Sequence, residues 1–405
     1  MACQPRCGQP PYGAGLMLYD VIIIGAGPSG SYTAQRLAAL GYKVLVAEQH
    51  EKVGQLVCCT GIIGRECFDI FSIDKSVILR EAASAKFLSP GGESLRVERE
   101  TAPAYIVDRP AFDLTLAKRA QEQGAEYLLG ARVRSIGVEK DFVQLETSGE
   151  DLVGKTAVIA SGFGSTLGQK LKLGRVADFV IGAQAEVAAI NETNEVEVYL
   201  GSKFAPGFFA WLVPTSEGKA LAGLLSRHRP GLYLKDFLSH LSKQGKIEAS
   251  TARISYGGVP LRPLPKTYRE RIIVVGDAAG QTKPTTGGGI YYDLLCAQIA
   301  ADVLHQALSS GNFSPKIFAR YEKGWHSKLS TELRIDYWAR RSFERLSDGQ
   351  IEKIFHLICS SGIHDTLLNA KDFSFDWHSR LILNGLRHLI PRGMLQMLRA
   401  PFKDR

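Results

Sequence analysis

The 405-residue chain is 45% hydrophobic and 22% charged, as in globular proteins that are long enough to bury a large core. Much of the net charge of +8 comes from Trp377–Arg405, which holds six Lys or Arg against one Asp, so the basicity is local and argues against a nucleic-acid-binding protein. The seven cysteines are an odd and scattered set, which excludes a disulfide framework and predicts a reducing, cytoplasmic location.

The first residues give no sign of a targeting segment. Residues 1–18 lack the apolar core of a signal peptide and are expected to form a disordered tail. No apolar run in the chain approaches the ~18 residues of a membrane span. Cys58, Cys59 and Cys67 have no metal-ligand spacing towards a pair of histidines, so no metal site is predicted.

An apolar run that stops at three glycines opens the folded part of the chain, in "YDVIIIGAGPSG". The β-branched run Val21–Ile24 is typical of a strand that is buried on both faces of a parallel sheet. The residues from Ser29 to Leu40 favour a helix, which Gly41 would end. "YKVLVAE" then predicts a second strand that ends at Glu48, so this stretch is a βαβ unit.

The glycines of this unit fall in the turn from strand to helix, where a dinucleotide can approach the backbone. Gly25 permits the tight turn, Gly27 leaves room for a pyrophosphate, and Gly30 lets the helix pack on the strand. The N-terminus of the helix, at Ser29, faces the phosphates with the positive end of its dipole. Glu48 is at the spacing at which a carboxylate accepts the ribose hydroxyls. This fingerprint alone leaves FAD and a nicotinamide cofactor open.

The middle of the chain predicts a second lobe that is built from antiparallel strands. Residues 80–100 resemble a hairpin with its turn at Pro90–Gly92, and this hairpin can join the lobe. "AQAEVAAI", "NEVEVYLG" and "KALAGLLS" alternate in polarity or favour strands between Gly182 and Pro260. We expect this lobe to cover the substrate.

A second cofactor-binding element is predicted far along the chain, where "RIIVVGDAAGQTKPTTGGGIYYDLLCAQIAADVL" begins at Arg271 with a strand. Asp277, at the carboxyl end of that strand, can bind ribityl hydroxyls. Three glycines that end with Gly288 and Gly289 directly precede a predicted helix, which begins at Ile290. Its N-terminus would stabilise an anionic reduced flavin by up to ~2 kcal/mol. One apolar face of this helix carries Leu294, Ala297, Ala301, Leu304 and Leu308.

The two glycine motifs together resemble the flavoprotein class of the p-hydroxybenzoate hydroxylase fold. The resemblance implies FAD as the cofactor. It also implies a flavin or phosphate contact by Arg109, at the start of a helix, and a backbone contact of Val133 with adenine on the next strand. "KTAVIASGFGSTL" resembles the strand that closes the FAD domain, and no acidic residue follows it at ribose distance. Without a second nucleotide unit, NADPH would dock transiently, or a carrier such as ferredoxin would supply electrons.

Within this class the chain most resembles the geranylgeranyl reductases. "VCCTGIIG" resembles their cysteine–glycine turn beside the flavin ring, with the pattern laid on Cys58 or Cys59 and ending at Gly61. "PGFFAWLVP" resembles their aromatic motif, with Trp211 matching and Phe209 in place of a tyrosine. The resemblance implies hydride transfer from reduced flavin to a prenyl double bond of an isoprenoid lipid. Phe209 and Trp211 would then form the walls of a dry site, and Cys58 or Cys59 would donate a proton or tune the flavin.

Two other functions remain open on the same fold. A flavin-dependent monooxygenase or halogenase is one, because "FAWLVP" resembles half of a halogenase motif whose first tryptophan is absent here. A non-catalytic flavin redox carrier is the other. A reductase and a monooxygenase or halogenase would both need a substrate cavity beside the flavin ring, whereas a redox carrier would not.

The predicted architecture is α/β. It consists of a Rossmann-type FAD-binding domain with a parallel sheet (19–180 and 263–325), an antiparallel substrate lobe (181–262) and a helical C-terminal region (326–405). The last stretch, from Arg380, is apolar and basic, and Pro391 would break it into two short helices. Such helices lie on anionic membrane surfaces or pack as a cap on the FAD domain.

Overall fold

The computed structural model describes residues 18–190, 195–249, 252–362 and 374–389. The predicted N-terminal tail, apart from Leu18, and the predicted second helix after Pro391 lie outside these residues.

The described strands are β1 (Leu18–Ile24), β2 (Val44–Ala47), β3 (Ile62–Gly64), β4 (Ile78–Ala82), β5 (Ser84–Leu88), β6 (Ser94–Glu98), β7 (Ala104–Val107), β8 (Glu126–Leu128), β9 (Ser135–Val138), β10 (Val143–Glu146), β11 (Leu152–Ile159), β12 (Phe179–Ala188), β13 (Glu195–Leu200), β14 (Phe209–Pro214), β15 (Lys219–Ser226), β16 (Ser255–Pro260), β17 (Tyr268–Arg269) and β18 (Ile272–Val274).

The described helices range in length from 4 to 29 residues. They are α1 (Pro28–Ala38), α2 (Arg65–Phe71), α3 (Arg109–Glu122), α4 (Leu167–Lys170), α5 (Pro230–Lys243), α6 (Ile290–Ser310), α7 (Pro315–Phe343), α8 (Asp348–Ser361) and α9 (Ser379–Leu389). Two short 3₁₀ turns cover Lys75–Val77 and Gly276–Ala278. No helix in the described part of the chain is long and apolar enough to cross a membrane.

The first sheet has a parallel centre, in the order β18-β11-β1-β2-β8, and antiparallel additions by β17, β10 and β9. Val21 and Ile23 of β1 belong to the core cluster beneath helices α1, α3, α6 and α7, whereas Ile22 and Ile24 belong to the cluster on the opposite face. The β-branched run is therefore buried on both sides, as predicted. The α/β class with a parallel sheet is confirmed.

The second sheet has the order β16-β12-β15-β14-β13-β5-β6 and is antiparallel except between β13 and β5. It takes in the three strands that the middle of the chain predicted and the hairpin of β5 and β6. Residues Ile78–Ala82 instead pair with β7 in a small separate sheet. Helix α5 covers one face of the second sheet, where Leu234, Phe237 and Leu241 are buried. The other face is turned towards the first sheet and its loops.

Two predicted positions differ from the observed elements. Val133 was predicted on a strand, and this is wrong: it lies in an irregular segment before β9. That segment is anchored at its two ends, by Ala131 N–H donating to the Glu48 carbonyl and by Arg134 N–H donating to the Glu146 carbonyl, so it does not form a continuous ladder. Helix α7 runs without a break through residue 325, the position at which the sequence suggested a boundary.

Candidate functional site

The first glycine turn lies between β1 and α1 and brings the backbone close to neighbouring groups. Gly25 has a φ of +107°, a conformation that other residues rarely adopt, and a Cβ built on it would collide with the carbonyl of Ala160. A Cβ on Gly30 would collide with the Gly25 carbonyl, so α1 can approach β1 only because Gly30 has no side chain. A Cβ on Gly27, by contrast, would face open space.

That open space is a cavity of about 770 Å³ at the carboxyl ends of β1 and β2. Its walls include the predicted residues Gly25, Gly27, Glu48 and Val133. Glu48 is 9% exposed, and its two oxygens accept hydrogen bonds from Ala26 N–H at 2.9 Å and from His50 N–H at 3.0 Å. The carboxylate is therefore held at the edge of the cavity, as the ribose-binding role predicted for it would require.

The second glycine motif meets the first one. A Cβ built on Gly276 would lie 2.8 Å from Ser29 Oγ and 3.2 Å from Asp293 Oδ1. At the start of α6, a Cβ on Gly289 would lie 3.1 Å from Asp277 Oδ1. Gly289 is the N-cap of α6, and no side chain of the described residues caps that end. Two helix N-termini, of α1 and α6, thus lie on either side of the contact between Ser29 and Gly276.

Arg109 is buried beside this junction at the start of α3. Its Nη2 donates to Asp113 Oδ1 at 2.7 Å. Burial opposes its charge, but Asp113 and the Cys59 sulfur outweigh that effect and raise the pKa of Arg109. Its Nε is buried and has no hydrogen-bond partner among the described residues, so this donor is available to a bound molecule.

Burial raises the pKa of Asp113 despite its contact with Arg109, and two further carboxyl groups near Arg109 also have raised pKa values. Burial raises the pKa of Asp277 although Thr282, which donates to it at 2.6 Å, works in the opposite direction. Burial, and then the neighbouring Asp277, raise the pKa of Asp293 well above its usual range. Asp293 Oδ1 has no partner within the described chain. A protonated Asp293 can donate a hydrogen bond to an oxygen of a bound ligand.

The predicted cysteine turn lies under the second sheet. Gln184 on β12 donates from Nε2 to the Cys59 carbonyl at 3.4 Å. A Cβ built on Gly257 of β16 would lie 3.3 Å from Cys58 Cβ. Cys59 Sγ accepts a hydrogen bond from Gly61 N–H at 3.4 Å. One face of the second sheet therefore covers the turn from Cys58 to Gly61.

The same face covers the glycine loop before α6. A Cβ built on Gly287 would lie 3.3 Å from Val259 Cγ1 and 3.6 Å from Leu225 Cδ1. Val259 and Leu225 belong to β16 and β15, the strands on either side of β12. The cysteine turn and the glycine loop are thus covered by one sheet, as a ring bound between them would be.

The aromatic motif belongs to this face as well. Trp211 lies opposite Gly223, and Gly223 lies opposite Gln184, so the three residues share a face of the antiparallel strands. The indole lies against Gly223, on which a built Cβ would be 2.5 Å from Trp211 Cζ2. Trp211 Nε1 is buried without a partner in the described residues. The ring of Phe209, two positions along β14, has its centroid 5.9 Å from that of Trp211.

Lys283 lies in the glycine loop, with its Cε 3.1 Å from the position of a Cβ on Gly288. The structure therefore brings the predicted residues into one region, and beside them lie four that the sequence analysis missed: Gln184, Gly223, Lys283 and Asp293. A signal was present for two of them. Gly223 interrupts a strand, which often marks a close approach of another group. Asp293 lies four residues before Ala297 and so on the apolar face of α6, where a charged residue is unexpected. Gln184 and Lys283 gave no signal, because their partners are far away in the sequence.

Comparisons with known proteins assign a family. A family model described as pyridine nucleotide-disulphide oxidoreductase matches residues 19–194. The digeranylgeranylglycerophospholipid reductase of Methanocaldococcus jannaschii is 31% identical over 353 residues, which cover 83% of this chain and 90% of the relative.

Solved structures show the same fold. A geranylgeranyl bacteriochlorophyll reductase-like protein from Thermoplasma acidophilum superposes with a TM-score of 0.83 at 23% identity, covering 95% of this chain and 99% of that one. A halogenase in complex with FAD superposes with a TM-score of 0.67 at 13% identity, covering 94% of each chain. At these identities the likeness concerns the fold alone.

Proposed function

Since the chain belongs to the family of digeranylgeranylglycerophospholipid reductases, we propose that it is an FAD-dependent oxidoreductase that saturates prenyl double bonds of an isoprenoid lipid. The observation that carries this proposal is the meeting of two glycine turns beneath a sheet face that presents Trp211 towards the cysteine turn. The fold supplies a dinucleotide site at its base and an apolar wall above it.

The residues present fit FAD. Gly25, Gly27 and the N-terminus of α1 at Ser29 would hold the pyrophosphate, and Glu48 would accept the ribose hydroxyls. The backbone of Val133 would contact the adenine, since Val133 lines the same cavity. This half of the site is a cradle in which the carboxylate is already oriented by two backbone N–H groups.

The flavin half would be held by the second motif. Asp277 would bind the ribityl chain, and the backbone of Gly288, Gly289 and Ile290 would face the ring at the N-terminus of α6. Arg109, with its unpartnered Nε, would contact the flavin or a phosphate. Cys59 and Gly61 would lie beside the ring.

When bound and reduced, FAD supplies a hydride to one carbon of the double bond. The chain must provide a proton for the other carbon, keep out water and hold the alkene within ~3 to 3.5 Å of the reacting atom. Trp211 and Phe209 provide an apolar wall. Burial, and then Cys59, raise the pKa of Cys58 to about 11, so Cys58 is a protonated but weakly acidic thiol at neutral pH. Its position supports a role as donor, because it lies against Gly257 on the sheet face that also carries Trp211. We assign Cys58 as the proton donor and Cys59 as the partner of Arg109.

Mass spectrometry tests the activity. The protein, loaded with FAD, is reduced with dithionite without oxygen and incubated with geranylgeranyl diphosphate, a digeranylgeranylglycerol phospholipid and a prenylated quinone. A gain of two hydrogens per reduced bond on any of them supports the proposal. No gain on any of them contradicts it and leaves a redox carrier. A product that requires oxygen and either gains an oxygen atom or exchanges hydrogen for halogen would identify a monooxygenase or a halogenase instead.

The electron donor is proposed to be NADPH docking transiently, or a ferredoxin. Mixing the oxidised holoprotein with each donor in a stopped-flow instrument, and following the loss of flavin absorbance, distinguishes them. The faster donor should also support turnover with the prenyl substrate.

We further propose a peripheral membrane contact through the C-terminal region, since a lipid substrate must be taken from a bilayer. Leu383 on α9 is 42% exposed, and the chain that follows it is basic. Co-sedimentation with vesicles of anionic phospholipid should be lost when residues 380–405 are removed. Retained binding would contradict this proposal and leave the cap on the FAD domain as the remaining interpretation of the region.

A further inference from the structure

A buried ion pair lies directly behind the glycine loop of α6. Lys283 Nζ is 2.8 Å from Asp376 Oδ1, and both side chains are only 4% exposed. Lys283 belongs to the loop itself, since its N–H donates to the Gly288 carbonyl at 3.1 Å and its carbonyl accepts from Gly287 N–H at 2.8 Å. A Cβ built on Gly288 would lie 3.1 Å from Lys283 Cε and 3.6 Å from Nζ. The positive charge is therefore in contact with the loop that we assign to the flavin ring.

Asp376 comes from a segment that we call the strap, residues 374–379. The strap is fixed to three helices. Trp377 Nε1 donates to Glu66 of α2 at 3.3 Å, the hydroxyl of Tyr292 on α6 donates to the Asp376 carbonyl at 3.2 Å, and Ser379 N–H donates to Glu332 of α7 at 2.6 Å. The strap leads directly into α9.

Stability alone is a weak reason for such a pair. Two buried charges lose their hydration, and replacing a buried pair with apolar residues is often neutral or stabilising. Asp376 Oδ2 is moreover buried without a hydrogen-bond partner within the described residues, so this pair is not even fully satisfied. A buried charged pair that contributes little to stability indicates that its electric field acts on a group bound nearby.

We propose that Lys283 raises the reduction potential of the bound flavin and that Asp376, held by the strap, limits this effect. The inference rests on the proposed function, because it requires FAD at Gly288. A reduced flavin carries its negative charge on the pyrimidine side of the ring, so a nearby cation stabilises the reduced form over the oxidised one. The carboxylate of Asp376 offsets part of that field. The other acids around the loop, Asp277, Asp293, Asp336 and Glu66, are common to all the variants described below.

The test is the midpoint potential of the FAD-loaded, full-length protein, measured against a reference dye. Lys283→Met should shift the potential downwards, and Asp376→Asn should shift it upwards. Lys283→Arg, which keeps the charge, should stay close to the wild type. Lys219→Met is the matched control, because Lys219 forms an exposed ion pair with Glu186 on the second sheet and should leave the potential unchanged.

Shifts of opposite sign support the inference. A merely structural pair would predict that both variants loosen the loop and move the potential in the same direction, and that result, or no shift at all, overturns it. If Lys283→Met does not fold, the comparison of Asp376→Asn with Lys283→Arg still decides the matter, since an unchanged potential in Asp376→Asn contradicts the proposal. A wild-type protein that binds no FAD overturns the proposed function and this inference with it, whereas bound flavin with an unmoved potential overturns only the inference.

Discussion

Ser29 and Gly276 are in contact across the site, with Ser29 Oγ 2.8 Å from the position of a Cβ on Gly276. Ser29 lies in the first turn of α1 and Gly276 begins the 3₁₀ turn that leads towards α6, so the contact joins the two cofactor-binding motifs. A single dinucleotide can then have its phosphates at one helix N-terminus and its ring at the other. The two halves of the chain would be held together by the cofactor as well as by the core.

Gly276→Ala should lower the affinity for FAD by at least about tenfold. The new methyl group would push Ser29 and the start of α1 away from the phosphates, and a loss of ~1.4 kcal/mol corresponds to a factor of ten. Titration of the apoprotein with FAD, followed by flavin fluorescence, measures this. Gly245→Ala is the control, because Gly245 has nearly the same φ, +67° against +69°, and a Cβ on it would have no described residue within 4 Å. Equal affinities in the two variants would contradict the prediction, because they would show that the contact with Ser29 does not position the phosphate site.

The parts of the site that were predicted from sequence are those fixed by local geometry. A turn such as that at Gly25 needs glycine wherever it occurs, and the run Val21–Ile24 is readable because a strand covered on both faces has no polar side. The start of α3, which was predicted at Arg109, is likewise fixed locally, because the preceding Asp108 accepts a hydrogen bond from Ala111 N–H at 3.0 Å.

The rest depends on which distant segments meet. Nothing near Lys283 in the sequence indicates that Asp376 will be its partner, and Gln184 reaches Cys59 only because the second sheet folds over the first. Val133 shows the same limit on a smaller scale. The family resemblance predicted a strand there, but anchoring contacts to Glu48 and Glu146 hold the segment in an irregular path.

Asp293→Asn should change how stability depends on pH. Because burial and Asp277 raise the pKa of Asp293 in the folded protein, the folded state binds a proton more tightly than the unfolded state, where the pKa is about 4. The contribution of Asp293 to the free energy of unfolding should therefore fall as pH rises above about 4, and Asn removes this contribution. Both proteins are unfolded with urea, without FAD, at pH 4.5 and pH 8. The free energy of unfolding of the variant, relative to that of the wild type, should be higher at pH 8 than at pH 4.5. A difference that is the same at both pH values would contradict a protonated Asp293.

Cys58→Ala should lower the rate of prenyl reduction by roughly 100-fold, the smaller end of what a general acid contributes, with the FAD content unchanged. Because the pKa of Cys58 is raised to about 11, its reaction with iodoacetamide should be slow at pH 7.5 and faster as the pH approaches that value. Cys59→Ala should act differently, by weakening FAD binding through the loss of its contact with Arg109. A Cys58→Ala enzyme with full activity would remove the proton-donor assignment, whatever the labelling shows.

Gly223→Ala should disable the wall of the substrate site without emptying the cofactor site. The methyl group would occupy the space of the Trp211 indole, which must then swing away from the face that covers the cysteine turn. We expect KM for the prenyl substrate to rise at least several-fold and the affinity for FAD to stay the same.

Trp211→Phe separates shape from hydrogen bonding: it keeps an aromatic wall and removes the buried Nε1 donor, which has no partner among the described residues. If Trp211→Phe is as impaired as Gly223→Ala, the indole N–H contacts the substrate or the flavin; if it is nearly normal, the wall acts by packing. A Gly223→Ala enzyme with an unchanged KM would show that the substrate does not bind against this face.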